Sequence, residues 1–252
     1  MHSRIFFLLS LGLCWGGAPA WSLSPDVREE QGDARQLIRW LLEDERDLSG
    51  VRFAEVVEAT AGRKVLTFNP ESGADRRLLQ AVRKAMEELL AEVNRPEHAI
   101  HQVGRINEVS GHLEDLLAEK LNQIDGVSAT LPPTAAGRLQ RSGYPDIRLE
   151  DLATGRVFYL DPKLHAAGSE QSSFRTFYFE PKVETNKILD DATHLIIGVA
   201  HGGRQEGRWR FLHWNAVDLA DFRVRLKAEF QASNRDLYRP EAIVAEGEAV
   251  AH

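Results

Sequence analysis

The chain has 252 residues, a formal net charge of −7 and one cysteine, Cys14, which lies in a short apolar N-terminal run. Beyond that run, disulfides, thiolate catalysis and cysteine-based zinc sites are excluded together. The charge is uneven: residues 21–136 carry 14 Lys+Arg against 21 Asp+Glu, residues 137–227 carry 14 against 12, and residues 228–252 carry 2 against 5. Indiscriminate electrostatic binding to nucleic acid is therefore excluded, while the second part of the chain meets a polyanion without net repulsion.

Residues 1–20 have a basic start, an apolar stretch from Ile5 to Gly17, and Ala18-Pro19-Ala20. This is the pattern of a cleaved export signal, too short for a membrane-spanning helix, so an exported (periplasmic or secreted) and soluble mature chain is expected. Residues 21–100 read as an accessory αββα region. Its parts are an amphipathic helix over 26–42, two strands within 53–68 joined through Ala61-Gly62, and a helix over 73–93 that stops before Pro96. A helix over 107–122 follows, with Asn107 as its N-cap and a stripe of Val109, Leu113, Leu116, Leu117 and Leu121.

Strands are expected at 145–150 and 156–163, joined at Ala153-Thr154-Gly155, with a further strand at 174–180 and a short helix at 182–191. The apolar run 194–201 reads as a buried strand. Gly202-Gly203 is expected to turn the chain into a strand at 208–214, and a helix over 217–231 closes a domain spanning 101–235. Residues 236–252 are expected to form a flexible tail.

Chemistry concentrates on the strand 156–163. Alternation puts Phe158, Leu160 and Leu164 on one face and Val157, Tyr159, Asp161 and Lys163 on the other. The hairpin brings Asp146 alongside Asp161 and Lys163. Hard cations such as Mg²⁺ or Mn²⁺ take one or two carboxylates together with phosphate oxygens and water, which Asp146 and Asp161 can supply. A lysine beside them can hold a scissile phosphate or activate an attacking water. A third acid is sought on the helix 107–122. Glu114 sits at the border of the leucine stripe and is the choice, with Glu108 in reserve because a helix start shifts by a residue or two.

Pro145-Asp146, 14 intervening residues and Asp161-Pro162-Lys163 resemble the motif of the PD-(D/E)xK restriction-endonuclease-like nucleases. The order of elements over about 105–230 is similar too. The resemblance implies a restriction-endonuclease-like α/β core, a central mixed β-sheet flanked by helices. It also implies Asp146, Asp161 and Glu114 as metal-site acids and Lys163 as the catalytic lysine. The implied activity is Mg²⁺- or Mn²⁺-dependent phosphodiester hydrolysis, with DNA preferred to RNA as partner; a homodimer is left open. Glu180-Pro181-Lys182 has the same D/E-x-K form and competes for the assignment.

Other groups are weighed against solvation or packing. His165 is a phosphate contact or a proton carrier for a small-phosphoester hydrolase, against a solvated loop residue. His194 and His201, seven apart, face opposite sides of a strand and cannot share a metal. Arg175, Arg204, Arg208 and Arg210 read as exposed charge before phosphate contacts, and Trp209 and Trp214 as core. The competing reading of the whole chain is a catalytically inactive, secreted binding module on the same scaffold.

Overall fold

Among the described residues, helix α2 (Gly73–Val93) and helix α3 (Ile106–Asn122) carry the two longest helical stripes, and they pack on one face of the sheet. The computed structural model describes residues 34–41, 43, 49–173, 177–227, 229 and 231–245. The described residues between 48 and 226 form one compact unit, and those of 1–47 with 227–252 belong to another. In the latter, residues 34–41 are helical and Asn234–Leu237 make one helical turn. The export signal and residues 26–33 of the first expected helix lie outside the described residues, as do 246–252 of the expected tail. Among the described residues no helix is long and apolar enough to cross a membrane.

The larger unit is a mixed α/β structure with a five-stranded sheet in the order β2-β3-β4-β5-β6, made of β2 (Val127–Thr130), β3 (Ile147–Asp151), β4 (Arg156–Ala166), β5 (Thr193–Gln205) and β6 (Arg208–Asp218). All neighbours are antiparallel except β4 and β5, which run parallel from Phe158↔Thr193 to Ala166↔His201. A parallel pair needs a long crossover. Residues 167–192 supply it without regular helix or strand among the described residues.

Alternation along β4 divides two cores. Phe158 and Leu160 join Leu78, Val82, Met86 and Leu89 of α2 and Val109, Leu113, Leu117 and Leu121 of α3. Val157 and Tyr159 join Phe53, Tyr144, Ile188 and Ala192 on the opposite face. α2 starts at an N-cap, Ser72, whose hydroxyl accepts from the Asp75 amide. Two ion pairs tie the start of α2 to the β3–β4 hairpin: Arg156 Nε to Asp75 at 2.7 Å and Arg77 Nε to Asp151 at 2.7 Å. Asp151 also accepts from the Ala153 and Thr154 amides, which shapes the turn ahead of Gly155.

Several expected elements are replaced. Residues 53–61 are helix α1 (Phe53–Ala61), not a strand, so the αββα pattern does not hold. Phe53 and Val57, four apart, are both fully buried, and this helical spacing reads equally as a short β run when taken locally. Beyond α1 only Val65 makes a bridge, to Ala192. Asn107 lies inside the first turn of α3, whose N-cap is Arg105, without a side-chain capping bond. Residues 177–180 and 182–191 form irregular crossover; 174–176, with Arg175, lie outside the described residues. Gly202-Gly203 marks a register shift within β5–β6, and the reversal falls at Glu206-Gly207, both at positive φ. The helix expected over 217–231 is absent from its described residues: β6 runs to Asp218, and β7 (Arg223–Arg225) pairs with β1 (Ser49–Arg52).

Candidate active site

Strand β4 outruns its neighbour. β3 pairs with β4 only as far as Ile147↔Leu160, so from Asp161 onward that edge of β4 has no β3 partner. Asp146, the residue before β3, stands beside this edge. Lys163 Nζ lies 2.6 Å from Asp161 Oδ2 and 3.7 Å from Asp146 Oδ2. The side chains of Asp161 and Asp146 are 3 % and 14 % exposed, whereas Lys163 at 34 % is open to an incoming ligand.

Two carboxylates this close and this buried cannot both ionise freely. Burial first, then the Asp161 charge and a hydrogen bond between the two acids, push Asp146 up to about 8; Lys163 opposes this and Glu114 adds to it. For Lys163, burial disfavours the charge, but Asp161 and Asp146 more than offset it and hold the amine above the usual lysine value. It is an ammonium at neutral pH and acts as a cation, not a base. Its approach to Asp161 Oδ2 is close yet too oblique for a directed hydrogen bond, so that buried oxygen has no aligned donor among the described residues.

Glu114, on α3, is half-buried; its Oε1 accepts from the Ser110 hydroxyl at 3.2 Å, and its charge is felt by Asp146 and Lys163. Glu108 is exposed in the first turn of α3. Among the described residues no three His, Cys, Asp or Glu side chains converge tightly enough to form a protein-only metal cage. The arrangement is a close pair of acids with a third at electrostatic range. This donor set suits a hard cation that completes its shell with water and substrate oxygens. The undirected Asp161 oxygen and the repulsion within the pair are what such a cation would relieve.

The competing Glu180 and Lys182 pair with each other at 2.9 Å, with side chains 44 % and 55 % exposed. His165 lies 3.9 Å from Glu170, its ring 6.2 Å from that of His213. His194 and His201 fall on opposite faces, His194 stacked on Tyr144 and His201 edge-on to Trp209. Arg204 donates to the carbonyls of His101 and Gly207, and Arg208 pairs with Glu206. Arg210, exposed, donates to Gln205. Trp209 is core and Trp214 packs partly against it.

Three residues near the acids lie outside the site read from the sequence, where only His194 is weighed and set aside as a metal ligand. Lys187, in the irregular crossover, is fully buried, and its Nζ donates to the Gly143 carbonyl at 2.7 Å. The Tyr144 hydroxyl and His194 Nδ1 share a 2.7 Å hydrogen bond. Lys187 and His194 belong to no spaced motif; the return of residues 187–194 behind β4 brings them to Gly143 and Tyr144, just ahead of Asp146.

Over residues 47–241 the chain matches the model of the type II restriction enzyme MjaV family. It is 29% identical over 233 residues to the type II restriction enzyme MjaV of Methanocaldococcus jannaschii, covering 88% of this chain and 98% of that relative. With most of its length matched, the chain belongs to the MjaV family of type II restriction enzymes.

Proposed function

We propose that the protein is an endonuclease that hydrolyses phosphodiester bonds of DNA with Mg²⁺ or Mn²⁺, using a PD-(D/E)xK-type site of Asp146, Asp161, Lys163 and Glu114. The observation that carries this reading is the convergence of Asp146, Asp161 and Lys163 at the open edge of β4. Family membership supports the substrate class.

Asp146 and Asp161 would hold a divalent cation, which would supply Lewis acidity and neutralise phosphate charge. The chain's residues do the rest. Asp161, rigid in β4, fixes one side of the site; Asp146 fixes the other. Glu114 adds negative charge that favours the cation. Water attacks phosphorus in line, forming one P–O bond as the bond to the leaving sugar oxygen breaks. Lys163, partly exposed and held as an ammonium, faces the non-bridging oxygen on which charge accumulates.

The test is incubation of the purified protein with supercoiled plasmid, single-stranded DNA and RNA in Mg²⁺, Mn²⁺ or EDTA. Cleavage of duplex DNA that needs the cation is expected, with Lys163→Ala slower by about 10²–10³-fold and still folded. Undiminished cleavage by that variant rejects the site. No cleavage and no metal-dependent thermal shift favours the inactive binding module. Export by residues 1–20 is a separate proposal, checked by N-terminal sequencing of the protein from its native cells.

A further inference from the structure

Two fully buried titratable side chains lie behind the acid pair and take no part in the hydrolysis outlined above: Lys187 and His194, both 0 % exposed. Lys187 Nζ is 2.7 Å from the carbonyl oxygen of Gly143. His194 Nδ1 is 2.7 Å from the hydroxyl of Tyr144, with the two rings stacked at 15°. Gly143 and Tyr144 are the third and second residues before Asp146. Neither belongs to the β3–β4 ladder, which begins at Ile147↔Leu160. The segment that delivers Asp146 is therefore gripped from behind by two side chains from the far end of the crossover and the start of β5.

Packing alone does not account for these residue types. A methionine fills the space of a buried lysine without the cost of desolvating an ammonium. Burial pushes the Lys187 amine below the usual lysine value, with the charges of Asp146, Asp161 and Glu114 opposing it, and its polar end is still spent on the Gly143 carbonyl. A phenylalanine in place of His194 would suit the surrounding Phe53, Tyr144 and Tyr159 rings, yet imidazole is present and is bonded to Tyr144.

We propose that Lys187 and His194 form a buried two-point clamp, acting through Gly143 and Tyr144 as positioning residues that hold the Asp146 carboxylate against Asp161. The clamp is read from geometry, and its consequence for catalysis rests on Asp146 being a metal-site acid. Residues that orient the groups holding a metal typically change affinity or activity by about 10–100-fold when lost.

The experiment compares the parent with Lys187→Met and Tyr144→Phe, both of which preserve bulk. Hydrogen exchange is measured over peptides covering 142–148, Mn²⁺ affinity by titration without DNA, and kcat and KM on plasmid DNA. Exchange in 142–148 is expected to quicken about 10-fold while the β4–β5 peptides stay at the parent rate. Mn²⁺ affinity and kcat are expected to fall about 10–100-fold with KM nearly unchanged. Unchanged exchange overturns the clamp. Quickened exchange with parental Mn²⁺ affinity and kcat overturns its positioning role. If the parent does not cleave DNA, the nuclease reading fails, while exchange and Mn²⁺ binding still decide the clamp. If Lys187→Met does not fold, Tyr144→Phe, which deletes one hydroxyl, decides it alone.

Discussion

Replacing Asp146 by asparagine is expected to stabilise the metal-free protein, although it removes a group assigned to the site. The folded environment raises Asp146 from 3.8 to about 8. A carboxyl raised on folding contributes stability that is present below pH 3.8 and lost as pH climbs towards 8, because the unfolded chain releases its proton first. At pH 7 the loss is about 1.4 kcal/mol for each of roughly three pH units, or about 4 kcal/mol. This is an upper limit, since local rearrangement around the charged Asp146 carboxylate relieves part of its burial cost. The substituted carboxamide has no charge to desolvate and can donate to Asp161 in place of the Asp146 carboxyl proton. For a unit of this size about 4 kcal/mol corresponds to roughly 10 °C in Tm. The assay is thermal unfolding of parent and Asp146→Asn in EDTA at pH 4, 5, 6, 7 and 8. The gap should be near zero at pH 4, widen with pH and be largest at pH 8. Adding Mn²⁺ should narrow it by stabilising the parent alone. A variant no more stable than the parent at pH 8, or a gap that does not grow with pH, would refute the account of two carboxylates in conflict.

Other outcomes follow from the same geometry. Burial holds His194 at about 3, so its imidazole stays neutral in the fold; below pH 6.5 the unfolded chain gains a proton that the folded chain refuses. Stability of the parent should therefore fall by about 1.4 kcal/mol per pH unit between 6.5 and 3 from this residue, and acid titration of His194→Gln should show a shallower slope. Phe53→Ala should cost about 3–5 kcal/mol in denaturant unfolding, because the ring is fully buried and meets Tyr144, Phe177, Phe179, His194 and Phe222. Arg156→Ala, which leaves the 1 % exposed Asp75 without its guanidinium, should cost about 3 kcal/mol, whereas Arg208→Ala at its exposed pair with Glu206 should change stability by less than about 1 kcal/mol. Glu180→Ala with Lys182→Ala should leave cleavage at the parental rate, since that pair is exposed and closed on itself.

Strong local periodicity made α2, α3, the β3–β4 hairpin and the core of β5 legible in the chain itself. Each buries a regular stripe, and the strand's two-residue repeat already separates Phe158 and Leu160 from Val157, Tyr159, Asp161 and Lys163. That repeat also defines which residues can share a face with Lys163. Short segments were decided elsewhere. Phe53 and Val57 satisfy a helix or a strand equally, and only the aromatic cluster behind β4 selects the helix. The Gly202-Gly203 pair fits a turn in isolation, but β6 pairs past it as far as Gln205↔Arg208, and the glycines become a bulge. The final helix was lost to strand pairing, as Arg223–Arg225 found a partner in Ser49–Arg52, far away in sequence. The same holds for the site. Asp161 and Lys163 are neighbours by covalent geometry, and their spacing is visible to any reader of the chain. That Asp146 stands beside them follows from the β3–β4 hairpin as read in the chain, but that Glu180 and Lys182 stay apart and that Lys187 and His194 stand behind Asp146 depend on how residues 167–192 return to the sheet. Burial and charge repulsion are properties of that assembled neighbourhood, so the chemistry of the acid pair exists only in the folded structure.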